Sequence, residues 1–134
     1  MNKILLDTNV LIYLFDASNI FHSRAKSIFA DPSRELCVTS KNLTEFISVC
    51  TKMTFDPTNY WGLFHEIVEN TTVLFPNSNS LTIFERLVKT YNPRGNRVFD
   101  IEIVSIALAH GISNIATFNV KDFINVTEIQ LFDF

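Results

Sequence analysis

Short apolar runs alternate along this chain with longer stretches whose apolar residues recur at helical spacing. Lys3-Ile4-Leu5-Leu6 predicts a buried strand that stops at Asp7-Thr8-Asn9, with a helical segment, Val10 to Phe15, directly behind it. Phe21 to Ala30 places apolar residues at 21, 25, 28 and 29, one helix face, and Asp31-Pro32-Ser33 closes it. Leu36 to Thr39 predicts a second strand. Asn42-Leu43-Thr44-Glu45 then has the spacing of a capping box, and apolar positions 43, 46, 47, 49, 50 and 53 continue that helix. Asp56-Pro57 starts another helix, running to about Asn70, with a capping residue before a first-turn proline. Thr71 to Phe75 predicts a third strand. Ser78 or Ser80 caps the next helix, which is apolar at 81, 83, 84, 87, 88 and 91.

A polar loop with a positive tip follows, Asn92-Pro93-Arg94-Gly95-Asn96-Arg97. Phe99 to Gly111 is strongly helical, and Gly111 suits a left-handed stop. The chain ends on a fourth strand, Asn114 to Phe118, a short helix over Lys121 to Ile124, and a fifth strand over Val126 to Phe132. Strands that are short continuous apolar runs, alternating with helices, predict an α/β fold with a parallel sheet covered on both faces. There is no internal repeat and no linker, and 134 residues suit one domain.

Composition sharpens this picture in two places. Thirteen phenylalanines ask for a large dry core or an apolar subunit interface. A net charge of −3, with pI near 5.5, argues against coating nucleic acid by bulk electrostatics, yet leaves room for an enzyme with a local basic edge. Cys37 and Cys50 sit in apolar runs and read as small buried hydrophobes rather than a bridge. Asp7 breaks the first apolar run too early for a signal peptide, and no stretch approaches the about 18 apolar residues of a membrane span. Those features predict a cytoplasmic protein.

In parallel sheets the site lies beyond the carboxyl ends of the strands, and acidic residues collect there. Asp7 ends the first strand, Glu45 lies in the first turn of the helix after the second, and Asp100 opens the helix after the positive loop. Asn119 and Asp122 follow the fourth strand. Each has an ordinary reading: Asp7 as a helix cap, Glu45 as the capping-box partner of Asn42, Asp100 as a dipole complement, Asn119 and Asp122 as turn or solvated residues. The set is what points to chemistry. Clustered carboxylates without thiolate or imidazole neighbours suit a hard divalent cation, magnesium or manganese, which can activate water against a phosphodiester. Arg94 and Arg97, with Arg86 and Lys89 nearby, are candidate contacts to an RNA backbone. His22, His65 and His110 have no ligand spacing, and there is neither a phosphate-binding glycine loop nor a nucleophile elbow.

Three segments, LLDTNVLIYLF, NLTEF and FDIEIVSIALAHGISNIATFNVKDF, resemble PIN-domain ribonucleases, most of all the VapC-type toxins of toxin–antitoxin pairs. The resemblance covers essentially the whole chain. It implies a three-layer α/β/α sandwich with a mostly parallel sheet of about five strands, and a magnesium- or manganese-dependent endoribonuclease with Asp7, Glu45 and Asp100 on the metal. It also implies that Asn9 orients Asp7 and that Thr117 is the hydroxyl residue before the fourth acidic position. That position is Asn119 here, which can orient water or ligate through its carbonyl but adds no charge; Asn119, with or without Asp122 to supply that charge, completes the site, and one tightly held metal is expected. Relatives dimerise and are silenced by a small antitoxin protein whose C-terminal segment lies across the active-site groove, so a homodimer and an antitoxin are the implied partners beside RNA. The rival readings are a catalytically inactive PIN-fold binding module, supported only by Asn119, and a receiver or aspartyl phosphatase. The phosphatase needs a second Asp where Asn9 stands, and the receiver an Asp where Phe75-Pro76-Asn77 has none.

Overall fold

The computed structural model describes residues 2–53 and 56–134. Its elements in order are β1 (Asn2–Leu6), α1 (Thr8–Phe15), α2 (His22–Ser27), β2 (Arg34–Thr39), α3 (Ser40–Lys52), α4 (Pro57–Asn70), β3 (Thr72–Leu74), α5 (Ser78–Tyr91), α6 (Arg97–Ala109), β4 (Asn114–Ala116) and β5 (Gln130–Leu131), with a 3-10 turn over Val120–Asp122. The five strands form one sheet in the order β3-β2-β1-β4-β5, and every pairing is parallel.

The period of two along the strands divides the core. Leu5, Cys37 and Ile115 point to the face packed by α5 and α6, together with Leu87, Val104 and Phe123. Ile4, Leu6, Leu36, Val38 and Ala116 point the other way, onto Val10, Leu11, Ala25, Phe46 and Ile67 of α1 to α4. A one-residue slip would exchange the two faces, so register is strongly specified here. Each fully buried leucine or isoleucine contributes roughly 1.5–3 kcal/mol of burial free energy. Phe46 and Phe123 are fully buried, whereas Phe75 and Phe99 are 62% and 60% exposed, so the phenylalanines do not all serve the core. Cys37 and Cys50 are both buried free thiols. No helix among the described residues is long and apolar enough to cross a membrane.

Several boundaries differ from the sequence expectation. The fifth strand shrinks from 126–132 to Gln130–Leu131, because only those residues pair with Asn114 and Ile115 of β4. The helix predicted over Phe99 to Gly111 begins at Arg97, so that residue lies on α6 rather than in the loop, and Asp100 sits in the first turn instead of opening it. The cap of α5 is Asn77, neither Ser78 nor Ser80. Its side chain accepts from the Ser80 amide, while the Ser80 side chain returns the bond to the Asn77 backbone. Gly111 takes the expected left-handed backbone, φ 75°.

From β1 the sheet runs to β2 and β3 on one side and to β4 and β5 on the other. The crevice beyond the carboxyl ends of β1 and β4 is therefore the topological switch point, the usual ligand position in an open parallel sheet.

Candidate active site

Asp7 stands at that switch point. Its amide donates to the Ala116 carbonyl at 2.9 Å, continuing the β1–β4 ladder by one residue. Its side chain then caps α1, with Oδ1 accepting from the Thr8 amide at 2.8 Å. Oδ2 accepts from the Thr117 hydroxyl at 2.8 Å and from Asn9 Nδ2 at 3.2 Å. While its hydroxyl donates to Asp7, Thr117 Oγ1 accepts from the Asn119 amide at 3.0 Å. Asn9 closes the net by accepting the Phe118 amide at 3.1 Å. Asp7 and Thr117 are both buried, and burial raises the Asp7 pKa against the lowering effect of Thr117, Thr8 and Asn9, with the charge of Asp122 adding to the rise.

Glu45 arrives on α3, and here the capping expectation needs correcting. The box is formed by Thr39 and Asn42, not by Asn42 and Glu45. Asn42 Oδ1 accepts from the Thr39 amide at 3.0 Å and from its hydroxyl at 2.7 Å, and Thr39 Oγ1 accepts from the Asn42 amide at 3.0 Å. The helix therefore starts at Ser40, and Glu45 sits one turn further in, released from capping. Asn42 is fully buried and its Nδ2 donates to Thr8 Oγ1 at 3.1 Å, tying α3 to α1. Glu45 as a residue faces solvent, but its carboxyl lies against protein. Partial burial and the charge of Asp7 raise its pKa, with the Thr8 hydroxyl pulling the other way.

Asp100 comes from the first turn of α6 and carries the largest perturbation of the group. Its pKa is pushed up to about 7, first by burial and then by the charges of Asp7, Asp122 and Glu45, while Arg97 opposes the rise. Asp122, on the 3-10 turn, lies 3.7 Å from Arg97 Nη2, which also donates to the Lys121 carbonyl at 3.3 Å. Four carboxylates from four segments thus share one electrostatic field. Asn119 joins the site through its backbone amide, while its residue is exposed and carries no charge into the group. Arg94 is exposed on the loop, where with Arg97 it lines a cavity of about 350 Å³ beside Asp122.

The supporting residues that the sequence left without a role are Thr8 and Thr39, and Asn42 takes a different role from the one expected. Thr39 precedes Asn42 by three positions, the same capping-box spacing one step earlier, and that was the available signal. A more capacious groove, about 660 Å³ between α3, α4 and β3, is lined by Leu43, Ile47, Trp61, Phe64, Val68 and Phe75 among others, without a titratable group.

The donor chemistry at the acidic edge is all oxygen, which suits magnesium or manganese and not a thiolate-seeking ion. Among the described residues no three acidic, imidazole or thiol side chains form a ready-made chelating cluster. Magnesium keeps several of its waters and takes one or two carboxylates directly, further carboxylates acting through those waters. Burial first, reinforced by mutual repulsion, raises the three carboxyl pKa values, and a divalent cation favours the ionised forms that both effects oppose.

The family model described as the PIN domain matches residues 4–129. Among solved structures the chain is similar to VapBC-1 from nontypeable Haemophilus influenzae, at 25% identity and TM-score 0.76 over 98% of this chain and 97% of that one. It is similar in fold to DNA-bound VapBC from Salmonella typhimurium, at 23% identity and TM-score 0.77 over 99% and 98% of the two chains. VapC20 of Mycobacterium tuberculosis, a sarcin-ricin loop cleaving toxin, gives 16% identity and TM-score 0.71 over 95% and 98%. No curated protein sequence matches the chain.

Proposed function

Because this chain belongs to the PIN-domain family, we propose that it is a magnesium- or manganese-dependent endoribonuclease and the toxin of a toxin–antitoxin pair. The observation that carries the reading is the meeting of Asp7, Glu45, Asp100 and Asp122 in one field at the switch point of the sheet. Asp7, Glu45 and Asp100 would hold the cation. When bound, such an ion supplies an activated water and charge stabilisation for phosphodiester hydrolysis.

The chain's own residues set the conditions for that chemistry. Thr117 and Asn9 hold the Asp7 carboxylate in one orientation, so it need not reorganise during the reaction. Asn42 donates to Thr8 and so leaves the single Thr8 proton available towards Glu45. Asp122 adds negative charge that Asn119 does not, and Arg97 keeps Asp122 facing the cluster. Arg94 and Arg97 are the proposed contacts to the RNA backbone.

The VapBC complexes among the structural neighbours support an antitoxin as partner. Exposed Trp61, Phe75, Leu81 and Phe99 offer apolar surface for that protein and for a homodimer. A cytoplasmic setting accords with two free thiols.

Cleavage of total cellular RNA by the purified protein tests the reading, with magnesium, manganese or chelator and alongside Asp7→Asn. Discrete fragments that require metal and vanish in the variant are expected. Metal-independent fragments, or fragments retained by Asp7→Asn, would overturn the assignment.

A further inference from the structure

The cavity beside Asp122 lies between the end of α5, the loop over residues 92–96, the start of α6 and the turn at 120–126. Its volume of about 350 Å³ falls at the small end of ligand pockets, enough for one flat heterocycle and the atoms attached to it. Ile101 and Val126, both buried, give it an apolar floor, and exposed Arg94 and Lys121 give it a positive rim. That concentration of positive charge stands out in a chain of net charge −3. Arg97 lines it too, but is already engaged by Asp122 and the Lys121 carbonyl.

Asn92 and Asn125 line it as well, beside Tyr91, Pro93 and Asp122. Asn92 is the one non-glycine among the described residues with a left-handed backbone, φ 50°, and it terminates α5 with its amide on the Val88 carbonyl. Glycine is the default at such a stop because it has no Cβ to strain. Asparagine meets the same backbone requirement and also places a donor and an acceptor at the cavity.

We propose that this cavity is a base-reading subsite for single-stranded RNA. The base of a nucleotide flanking the scissile phosphodiester lies over Ile101 and Val126, its edge is read by Asn92 and Asn125, and its phosphate is held by Arg94 and Lys121. Splayed bases read on their edges by amides are the usual means of sequence-selective RNA recognition. Asp122 lines both this cavity and the acidic cluster, so a nucleotide seated here places its neighbouring phosphodiester at the carboxylates. The inference rests on the nuclease reading above and adds to it the residues that choose the cutting site.

The test uses fluorescent twelve-nucleotide oligo(A), oligo(C) and oligo(U). Binding is followed by anisotropy on an Asp100→Asn background, and cleavage separately on the otherwise native chain. Asn92→Gly removes the carboxamide while keeping the left-handed turn, and Asn125→Ala removes the other amide from an exposed position. One homopolymer is expected to bind about tenfold more tightly than the others, with that preference falling to about twofold or less in each variant. Arg94→Ala should weaken all three about equally.

Equal binding of the three, or a preference that survives both Asn variants, would overturn the subsite. So would a cavity that accepts a protein side chain instead, since RNA preference would then ignore Asn92→Gly. The cleavage arm separates the two claims. Native protein that cuts with unaltered base preference in both variants sinks the subsite alone. Preference lost in the binding arm, with no metal-dependent fragments from total cellular RNA, sinks the nuclease and leaves the subsite.

Discussion

Asp7 and Asp100 face the same crevice, yet the protein holds them in opposite ways. Asp7 is bound by three donors, and its partners are themselves satisfied, down to the Asn119 amide on Thr117. Asp100 is placed by its helix and crowded by three other carboxylates, with Arg97 as the opposing charge. One half of the site is therefore built in advance, and the other is electrostatically incomplete until positive charge arrives. The difference teaches which half is fixed in geometry and which half is held at high electrostatic cost.

The largest expected effect removes the shared function and leaves the contrast visible. Asp7→Asn and Asp100→Asn should each lower metal-dependent RNA cleavage by at least about a hundredfold. Circular dichroism should show both variants folded, since both carboxylates lie at the sheet edge.

Breaking the prebuilt half comes next. Thr117→Val deprives Asp7 of a donor and strands the Asn119 amide, at a cost of about 2 kcal/mol in chemical denaturation. Cleavage should fall about tenfold because Asp7 loses its fixed orientation, and an unchanged denaturation midpoint would refute the role given to Thr117.

The crowded half should show the reverse sign. The folded-state pKa of Asp100 is about 7 against an ordinary 3.8, so the folded chain binds the proton more tightly than the unfolded one. The Asp100 contribution to stability then declines as pH rises from about 4 through 7, and its full penalty remains above that window. Asp100→Asn should be more stable than the native chain at pH 8 by about 1 kcal/mol, a figure reduced for the solvent reaching this half-buried group. The two proteins should melt alike at pH 4. An Asp100→Asn variant that gains no stability over the native chain between pH 4 and 8 would contradict the raised Asp100 pKa.

The smallest effect belongs to Arg97. Its pair with Asp122 is exposed, so Arg97→Ala should change stability by less than about 0.5 kcal/mol. Loss of its charge should move the Asp100 titration higher, readable by carbon NMR of the aspartate carboxyls, and a downward move would refute the pairing.

The sequence was most readable where one local signal sufficed. Asp7 behind an apolar run, Asp56-Pro57 and Gly111 each fell where the structure puts them, because a strand end, a first-turn proline and a left-handed stop are short-range facts. The continuous apolar run of Ile4, Leu5 and Leu6 likewise foretold a sheet buried on both sides. The capping of α3 was misread because Asn42 can serve as either cap or box partner, and only the buried Thr8 hydroxyl, 34 residues away, decides between them. The extent of β5 was misread because strand length depends on how much of β4 remains to pair with. Within the site, the approach of Asp122 to Asp7 and Asp100 depends on the turn after β4 folding back, a tertiary fact no spacing contains.

The central claim is that this acidic edge takes up a divalent cation, and manganese titration at pH 8 tests it most directly. Calorimetry should show saturable binding to the native chain, accompanied by a rise in melting temperature, and both should be lost in Asp7→Asn and in Asp100→Asn. Binding and stabilisation that persist unchanged in those variants, or a native chain that takes up no manganese, would contradict the account.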